Sequence, residues 1–217
     1  MKCLLASFGF DEKFALHSIM DHRPEKVYLI ALDTSGSASV RIERASNILK
    51  SVASSLGIYV ELRKIPYTSE NIPELVYKVK KHIRQIADKC SEIIVSLTGG
   101  PRLLVIALFL AVQTLPNLAS KTVVRLEGEG FEAVVENSVK ELQPIYLSEI
   151  SRAVLGLLAE DHTNSGIGLG PSTVASLLNI PKSTAHKKLQ ELVAKGLASH
   201  NPKQGLYKIT GRGLINA

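Results

Sequence analysis

The stretch SLTGGPRLLVIAL, residues 96–108, joins the end of an apolar strand to a long apolar helix through two adjacent glycines, a proline and an arginine. A strand that hands over to a helix through so little side chain brings bare backbone to the corner. Gly99 and Gly100 let main-chain amides approach a ligand closely, Pro101 suits the first helical turn, and the unpaired amides of that turn favour an anion. The same stretch is also compatible with a tight strand-to-helix turn that holds nothing.

Outward from this corner, short apolar runs alternate with amphipathic stretches, the pattern of a mostly parallel sheet with helices on both faces. Strands are expected over residues 2–8, 26–32, 58–65 and 92–97, and helices over 11–21, 40–56, 72–88 and 103–113. Ile72, Leu75, Val76, Val79, Ile83 and Ile86 recur at three- and four-residue steps in the third helix. Residues 121–127 and 131–136 read as a terminal β-hairpin around Gly128-Glu129-Gly130. In such a sheet, ligands sit beyond the carboxyl ends of the strands where their order reverses, usually between the first and fourth. There Ser7, Phe8, Gly9 and Phe10 face Thr98 to Arg102. Ser7 and Thr98 offer hydroxyls, Arg102 a fixed positive charge, and Asp33, Thr34 and Ser35 further small polar groups.

Gln143-Pro144 ends the alternation and divides the chain into residues 1–143 and 148–217. A helix is expected from Ser148 or Ser151 to about Glu160, with a flexible connector over 161–170. Pro171 to Ile180 reads as a short helix and its turn, and Lys182 to Lys195 as a second helix. Ala185, Leu189, Leu192 and Val193 share the buried face of that second helix, so Ser183, Thr184, His186, Lys187 and Gln190 point outward. Asn201 to Gly205 makes a basic tip between two short strands. The charge of +6 is uneven: residues 1–147 hold 18 basic against 16 acidic groups, residues 148–217 hold 8 against 4. The shorter, more basic part is the one suited to a polyanion.

Other chemistry is thinly represented. There is no Gly-x-Gly-x-x-Gly after the first strand and no Gly-Lys-Ser/Thr, which weakens nicotinamide, flavin and nucleotide triphosphatase readings. His17, His22, His82, His162, His186 and His200 show no metal-ligand or acid-paired spacing and read as surface residues, His82 on an exposed helix face and His162 in a loop. Glu127, Glu129 and Glu132 read as a solvated edge around the hairpin turn. Cys3 and Cys90, without paired spacing, read as small core residues, with a disulfide improbable. No metal and no cofactor are expected. No apolar run approaches the roughly 20 residues of a membrane span, and the start lacks a secretion signal, so a soluble cytoplasmic protein is expected.

Two resemblances sharpen this picture. PKSTAHKKLQELVAKGL, residues 181–197, resembles the winged helix-turn-helix domains of bacterial and archaeal transcription regulators. That resemblance implies double-stranded DNA as partner, with Lys182, Ser183, Thr184, His186, Lys187, Lys188 and Gln190 on a major-groove helix and Lys203 at the wing on the backbone. A role in protein contacts or dimerisation alone stays open. SFGF at residues 7–10 and TGGPR at 98–102, joined to a winged helix, resemble the CRISPR-associated Rossmann-fold (CARF) regulators over nearly the whole chain. The resemblance implies a Rossmann-like fold and a homodimer. It also implies a cyclic oligoadenylate effector, cyclic tetra-adenylate in the first place, held by Ser7, Phe8, Gly9, Phe10 and Thr98 to Arg102. It implies a transcription regulator without catalytic residues; slow, metal-independent cleavage of the ring by such a domain is the alternative.

Overall fold

The computed structural model describes residues 1–217 except 34–35, 68–70, 116 and 129–132. Strands with apolar residues on both faces belong in the interior, and those at residues 2–7, 26–33 and 92–96 are almost wholly buried. β1 (Lys2–Ser7), β2 (Lys26–Asp33), β3 (Tyr59–Pro66), β4 (Glu92–Ser96), β5 (Thr122–Glu127) and β6 (Val134–Ser138) form one six-stranded sheet in the order β3-β2-β1-β4-β5-β6. All neighbours are parallel except β5 and β6, so the sheet is Rossmann-like with a terminal antiparallel hairpin. The second hairpin strand starts later than expected, and Glu129 and Glu132 lie outside the described residues.

Helices α1 (Lys13–His22), α2 (Ser37–Ser55), α3 (Ile72–Ala87) and α4 (Arg102–Gln113) alternate with the first five strands. α3 is the most clearly amphipathic: Leu75, Val79, Ile83 and Ile86 are buried, and the Asn71 side chain caps its start by accepting the Glu74 amide at 3.0 Å. α4 is nearly all apolar: Leu104, Ala107, Leu108 and Ala111 are at 0 % exposure on its buried face, while Ile106 stands exposed.

The cysteine expectation is corrected. Cys3 and Cys90 form a disulfide, their Cα atoms 5.9 Å apart. Because Cys3 pairs in register with Ile93 across β1 and β4, the turn that carries Cys90 is brought beside the start of β1. Both residues are indeed in the core, at 0 % and 4 % exposure.

The chain divides into two compact units, Met1–Lys140 and Glu141–Ala217. A short helix, α5 (Val139–Leu142), lies at their junction. The second unit contains α6 (Glu149–Asn164), α7 (Pro171–Leu178), α8 (Lys182–Ala194), the antiparallel pair β7 (Ala198–Asn201) and β8 (Leu206–Ile209), and α9 (Gly211–Asn216). Its core is built from Val154, Leu155, Leu158, Val174, Leu189, Leu192 and Tyr207. α6 runs a turn further than expected, and the segment after it is tied down. Asp161 accepts the Ser165 hydroxyl at 2.6 Å and the Gly168 amide at 2.8 Å, and Leu169 exchanges backbone hydrogen bonds with Tyr207. His162 accordingly lies on a helix and not in a loop. Among the described residues no helix is long and apolar enough to cross a membrane.

Candidate ligand site and nucleic-acid interface

From β1 the chain moves to β2 and β3 on one side of the sheet, then returns to β4 and β5 on the other. The order therefore reverses between β1 and β4, and a crevice is expected at their carboxyl ends. Here the two corners meet through backbone. A Cβ on Gly9 would stand 2.9 Å from the Gly100 Cα, one on Gly99 2.7 Å from the Ser7 carbonyl oxygen, and one on Gly100, at φ +80°, 2.9 Å from the Phe8 carbonyl oxygen. The first task of these glycines is thus to let the β1 and β4 corners interlock. The Ser7 hydroxyl, 2 % exposed, completes the lock by donating to the carbonyl of Gly99 at 2.6 Å, with the Ser96 carbonyl at 3.3 Å.

Above this lock lies a cavity of about 400 Å³, lined by Gly9, Phe10, Asp11, Phe14, Leu32, Ala38, Ile42 and Thr98 to Pro101. That volume falls within the range of small-molecule sites. Its walls are mostly apolar side chains of α1 and α2, and its rim is the start of α4. Pro101 caps α4 without any side-chain bond, and the first amide to reach back is Val105, to the Pro101 carbonyl at 3.1 Å. The amides of the first turn consequently face outward, with the positive end of the helix dipole behind them. Arg102 is exposed at the same turn. An apolar slot beside an electropositive rim suits a ligand with a flat apolar part and a phosphate.

The expected site residues separate into three sets. Gly9, Phe10, Thr98, Gly99, Gly100 and Pro101 line the cavity. Ser7 and Phe8 are turned inward: the Ser7 hydroxyl is spent on the β4 corner, and Phe8, 1 % exposed, packs into the core. They support the site from below, which corrects the expectation that they contact ligand. Asp33 is exposed at the end of β2, while Thr34 and Ser35 lie outside the described residues. One cation escaped the sequence reading. Arg41 on α2 places its guanidinium carbon 4.1 Å from the centre of the half-exposed Phe10 ring, a cation–π pair at the cavity wall. The contact spans separate elements, so nothing local in the sequence signals it.

On the far side of β4, Arg125 is only 3 % exposed and meets Asp21 at 2.5 Å, Glu136 at 2.9 Å and Glu127 at 3.6 Å. His17 joins Glu127 at 2.6 Å and His22 joins Glu136 at 2.7 Å. Burial opposes ionisation of Glu136, yet hydrogen bonds from Arg125 and His22 hold its carboxyl below the usual range. Glu127 is therefore a largely buried partner in a partly exposed ion cluster, which corrects its reading as a solvated edge, and His17 and His22 are acid-paired across elements. His82 is half-buried, and burial, followed by the charges of Arg63 and Lys81, lowers its pKa. Thr98 connects this flank to the crevice by accepting the Glu127 amide at 2.7 Å. Among the described residues no group of His, Cys, Asp and Glu is placed to hold a metal ion.

In the second unit, α7 ends at Asn179 in the left-handed conformation, φ 50°, and Pro181 caps α8. Ala185, Leu189 and Leu192 are fully buried, so Lys182, Ser183, His186, Lys187 and Gln190 stand exposed, with Thr184 half-buried at the edge. Lys188 departs from expectation. Its ammonium group lies 2.9 Å from Glu191 and 3.3 Å from the Ser148 hydroxyl, and Lys195 reaches the same Glu191 at 3.0 Å. Lys188 thus ties α8 to the start of α6, on the flank of the helix and away from its outward face. At the wing tip, Asn201 accepts the amide of the exposed Lys203 at 3.1 Å. Tyr207 joins the two elements: His200 of the wing stacks on it at 4.3 Å, and His186 of α8 meets it edge-on at 6.5 Å. An exposed polar helix face beside a basic hairpin is the geometry of groove and backbone contact.

Comparison with known proteins agrees with both units. Residues 2–138 match the family model described as the Csa3 CRISPR-associated Rossmann-like domain, and residues 149–202 match the IclR helix-turn-helix domain. Curated proteins give no match. Among solved structures, protein VC1899 from Vibrio cholerae is similar at 13% identity and a TM-score of 0.49, over 100% of this chain and 64% of that one. Can2 from Sulfobacillus thermosulfidooxidans, solved with cyclic tetra-adenylate, is similar at 12% identity and 0.46, over 100% and 64%. Csm6 from Enterococcus italicus, bound to cyclic hexa-2'-fluoro-hexa-dAMP, is similar at 18% and 0.46, over 89% and 54%. The chain thus spans less than two thirds of the length of these proteins. The family model takes in well over half of the chain, the sheet and its crevice included, and the chain belongs to the Csa3 family of CRISPR-associated Rossmann-like proteins, with an IclR-type helix-turn-helix following that domain.

Proposed function

We propose that this chain is a dimeric, ligand-responsive DNA-binding regulator of CRISPR loci. Residues 1–143 sense a cyclic oligoadenylate, cyclic tetra-adenylate in the first place, and residues 148–217 bind double-stranded DNA. The observation that carries the reading is the crevice, where two glycine corners interlock below an apolar cavity rimmed by an open helix start. An adenine fits the apolar slot beside Phe10 and Phe14, and a phosphate fits the α4 amides and Arg102. A ring of four identical nucleotides can share the two-fold symmetry of an isologous dimer, so one ring satisfies two crevices. Ser183, His186, Lys187 and Gln190 would read the major groove while Lys203 holds the backbone. Ligand alters DNA affinity only if it prefers one of two arrangements of the dimer.

Cleavage would call on Ser7, Thr98 and Arg102 to position the ring and stabilise charge, and sensing is favoured because the Ser7 hydroxyl is already engaged with the Gly99 and Ser96 carbonyls. Incubation with cyclic tetra-adenylate is expected to leave the ring intact over hours; linear products would establish the cleavage reading instead.

The decisive experiment is a titration of promoter-DNA binding with cyclic tetra-adenylate. The DNA affinity is expected to shift on ligand addition. Arg102→Ala is expected to weaken ring binding by about tenfold or more, as for a missing charged hydrogen bond, and to leave ligand-independent DNA binding intact. Lys187→Ala is expected to do the reverse, lowering the salt slope of DNA binding by about 0.9 for each phosphate no longer neutralised. Ring binding undetectable by calorimetry would remove the sensor half of the proposal. DNA binding indifferent to Lys187→Ala and Ser183→Ala would remove the assignment of α8.

A further inference from the structure

The amino-terminal unit carries its own basic surface. Met1–Lys140 holds 18 basic against 15 acidic residues, and α3 alone holds Lys78, Lys80, Lys81 and Arg84 against Glu74. The excess on α3 equals that of the whole unit, so the rest of the unit is balanced. The amphipathic register of α3 decides where this charge goes. With Leu75, Val79, Ile83 and Ile86 buried, Tyr77, Lys81 and Arg84 fall on the opposite face, with Lys80 half-buried at its edge. Tyr77 is 67 % exposed, and Lys81 and Arg84 are exposed beside it.

Elsewhere in the unit, several cations are matched: Lys2 with Glu92, Lys26 and Arg63 with Glu61, Lys64 with Glu43, and Arg125 with three acids. Among the described residues Lys80, Lys81 and Arg84 have no ion-pair partner. The charge is felt locally, since Arg63 and Lys81 both help lower the pKa of His82, after burial. A folded unit with no net charge elsewhere has no solubility requirement for concentrating its excess on one helix.

We infer that the outer face of α3 is a second, sequence-independent contact for the phosphate backbone of duplex DNA, adding to the contact proposed for α8 and the wing. The inference rests on the proposed DNA-binding function. From Lys80 to Arg84 the helix rises about 6 Å, while phosphates of one strand follow each other at about 3.4 Å along the duplex axis, so the face matches two or three phosphates. Tyr77 supplies a hydroxyl donor at its edge. Contacts of this kind position a protein without reading bases, so they act equally on promoter and unrelated sequences.

The test measures the salt dependence of binding of the full chain to promoter duplex and to a random-sequence duplex. Compared are the wild type, the triple variant Lys80→Ala, Lys81→Ala, Arg84→Ala, and the charge-keeping variant Lys80→Arg, Lys81→Arg, Arg84→Lys. The alanine variant is expected to lower the slope of log K against log[salt] by about 2 to 3 per chain, at 0.9 per phosphate, and to weaken both duplexes alike. The charge-keeping variant is expected to retain the wild-type slope. Lys81 and Arg84 are exposed and Lys80 is half-buried, and an unchanged thermal midpoint confirms that the fold is kept. A chain that binds promoter DNA with the same slope and affinity in all three forms overturns this inference and leaves the proposed function standing. A loss confined to single-stranded RNA or to phosphatidylserine vesicles also overturns it, by assigning the face to another polyanion. A wild-type chain that binds no DNA at all overturns both.

Discussion

The two units build their candidate sites from different material. In the first, the crevice is made of backbone: Gly9, Gly99 and Gly100 interlock at distances that no Cβ tolerates, and the rim is a row of amides at the start of α4. In the second, the interface is made of side chains on a helix whose buried face is finished independently by Ala185, Leu189 and Leu192. The contrast teaches where substitution cuts. A backbone site cannot be edited without disturbing the fold that holds it, whereas residues on an outward helix face can be removed one at a time. The units also differ in what secures them. The sheet has a covalent link between β1 and the turn before β4, while α8 is held to α6 by apolar packing and by the hydrogen bonds of Lys188 to Ser148 and of Ser151 to Glu191.

The largest expected effect breaks the covalent half of that contrast. The disulfide closes a loop with a sequence separation of 87, and by the chain-entropy argument its loss costs about 4.6 kcal/mol. In the double variant Cys3→Ala, Cys90→Ala, hydrogen exchange of the full chain should show β1 and β4 amides losing protection by about that amount, with α8 amides unchanged. Equal loss in α8 would mean that the two units open together, and the comparison would fail. Gly100→Val comes next, with about 3 kcal/mol from a branched side chain at φ +80° and its collision with the Phe8 carbonyl. It is expected to lower the denaturant midpoint and to abolish ligand binding. A variant of normal stability would show that the corners are looser than their interlock implies.

The same contrast explains what could be read from the sequence. The strands were legible because burial on both faces leaves continuous apolar runs such as Val27 to Leu32 and Ile93 to Val95. The corner was legible because adjacent glycines before a helix mark a place where backbone passes close to other groups. The α8 face was legible because a helix sorts its residues by a fixed period. What stayed hidden depended on which elements become neighbours. Cys3 and Cys90 pair only because β1 lies beside β4. His17 and His22 meet Glu127 and Glu136 across more than a hundred residues. Lys188 is on the flank of α8 by its period alone, but Ser148, which helps to hold it there, belongs to the start of α6. Arg41 reaches Phe10 only once α2 packs over the crevice.

The smallest expected effect sharpens the side-chain half of the comparison through pH. Hydrogen bonds from Lys188 first, then Lys195, lower the Glu191 carboxyl from 4.5 to about 2. A carboxyl with a depressed folded-state pKa stabilises the fold fully above its unfolded value, and that contribution is lost as the pH falls from about 4.5 towards about 2. Because all three side chains are partly exposed, the gain is limited to about 0.5 to 1 kcal/mol. Glu191→Gln should therefore lower the protection of α8 amides at pH 7 by that amount and flatten its acid dependence, while the β1 and β4 amides keep theirs. An acid dependence of α8 that survives the substitution would place the titrating group elsewhere.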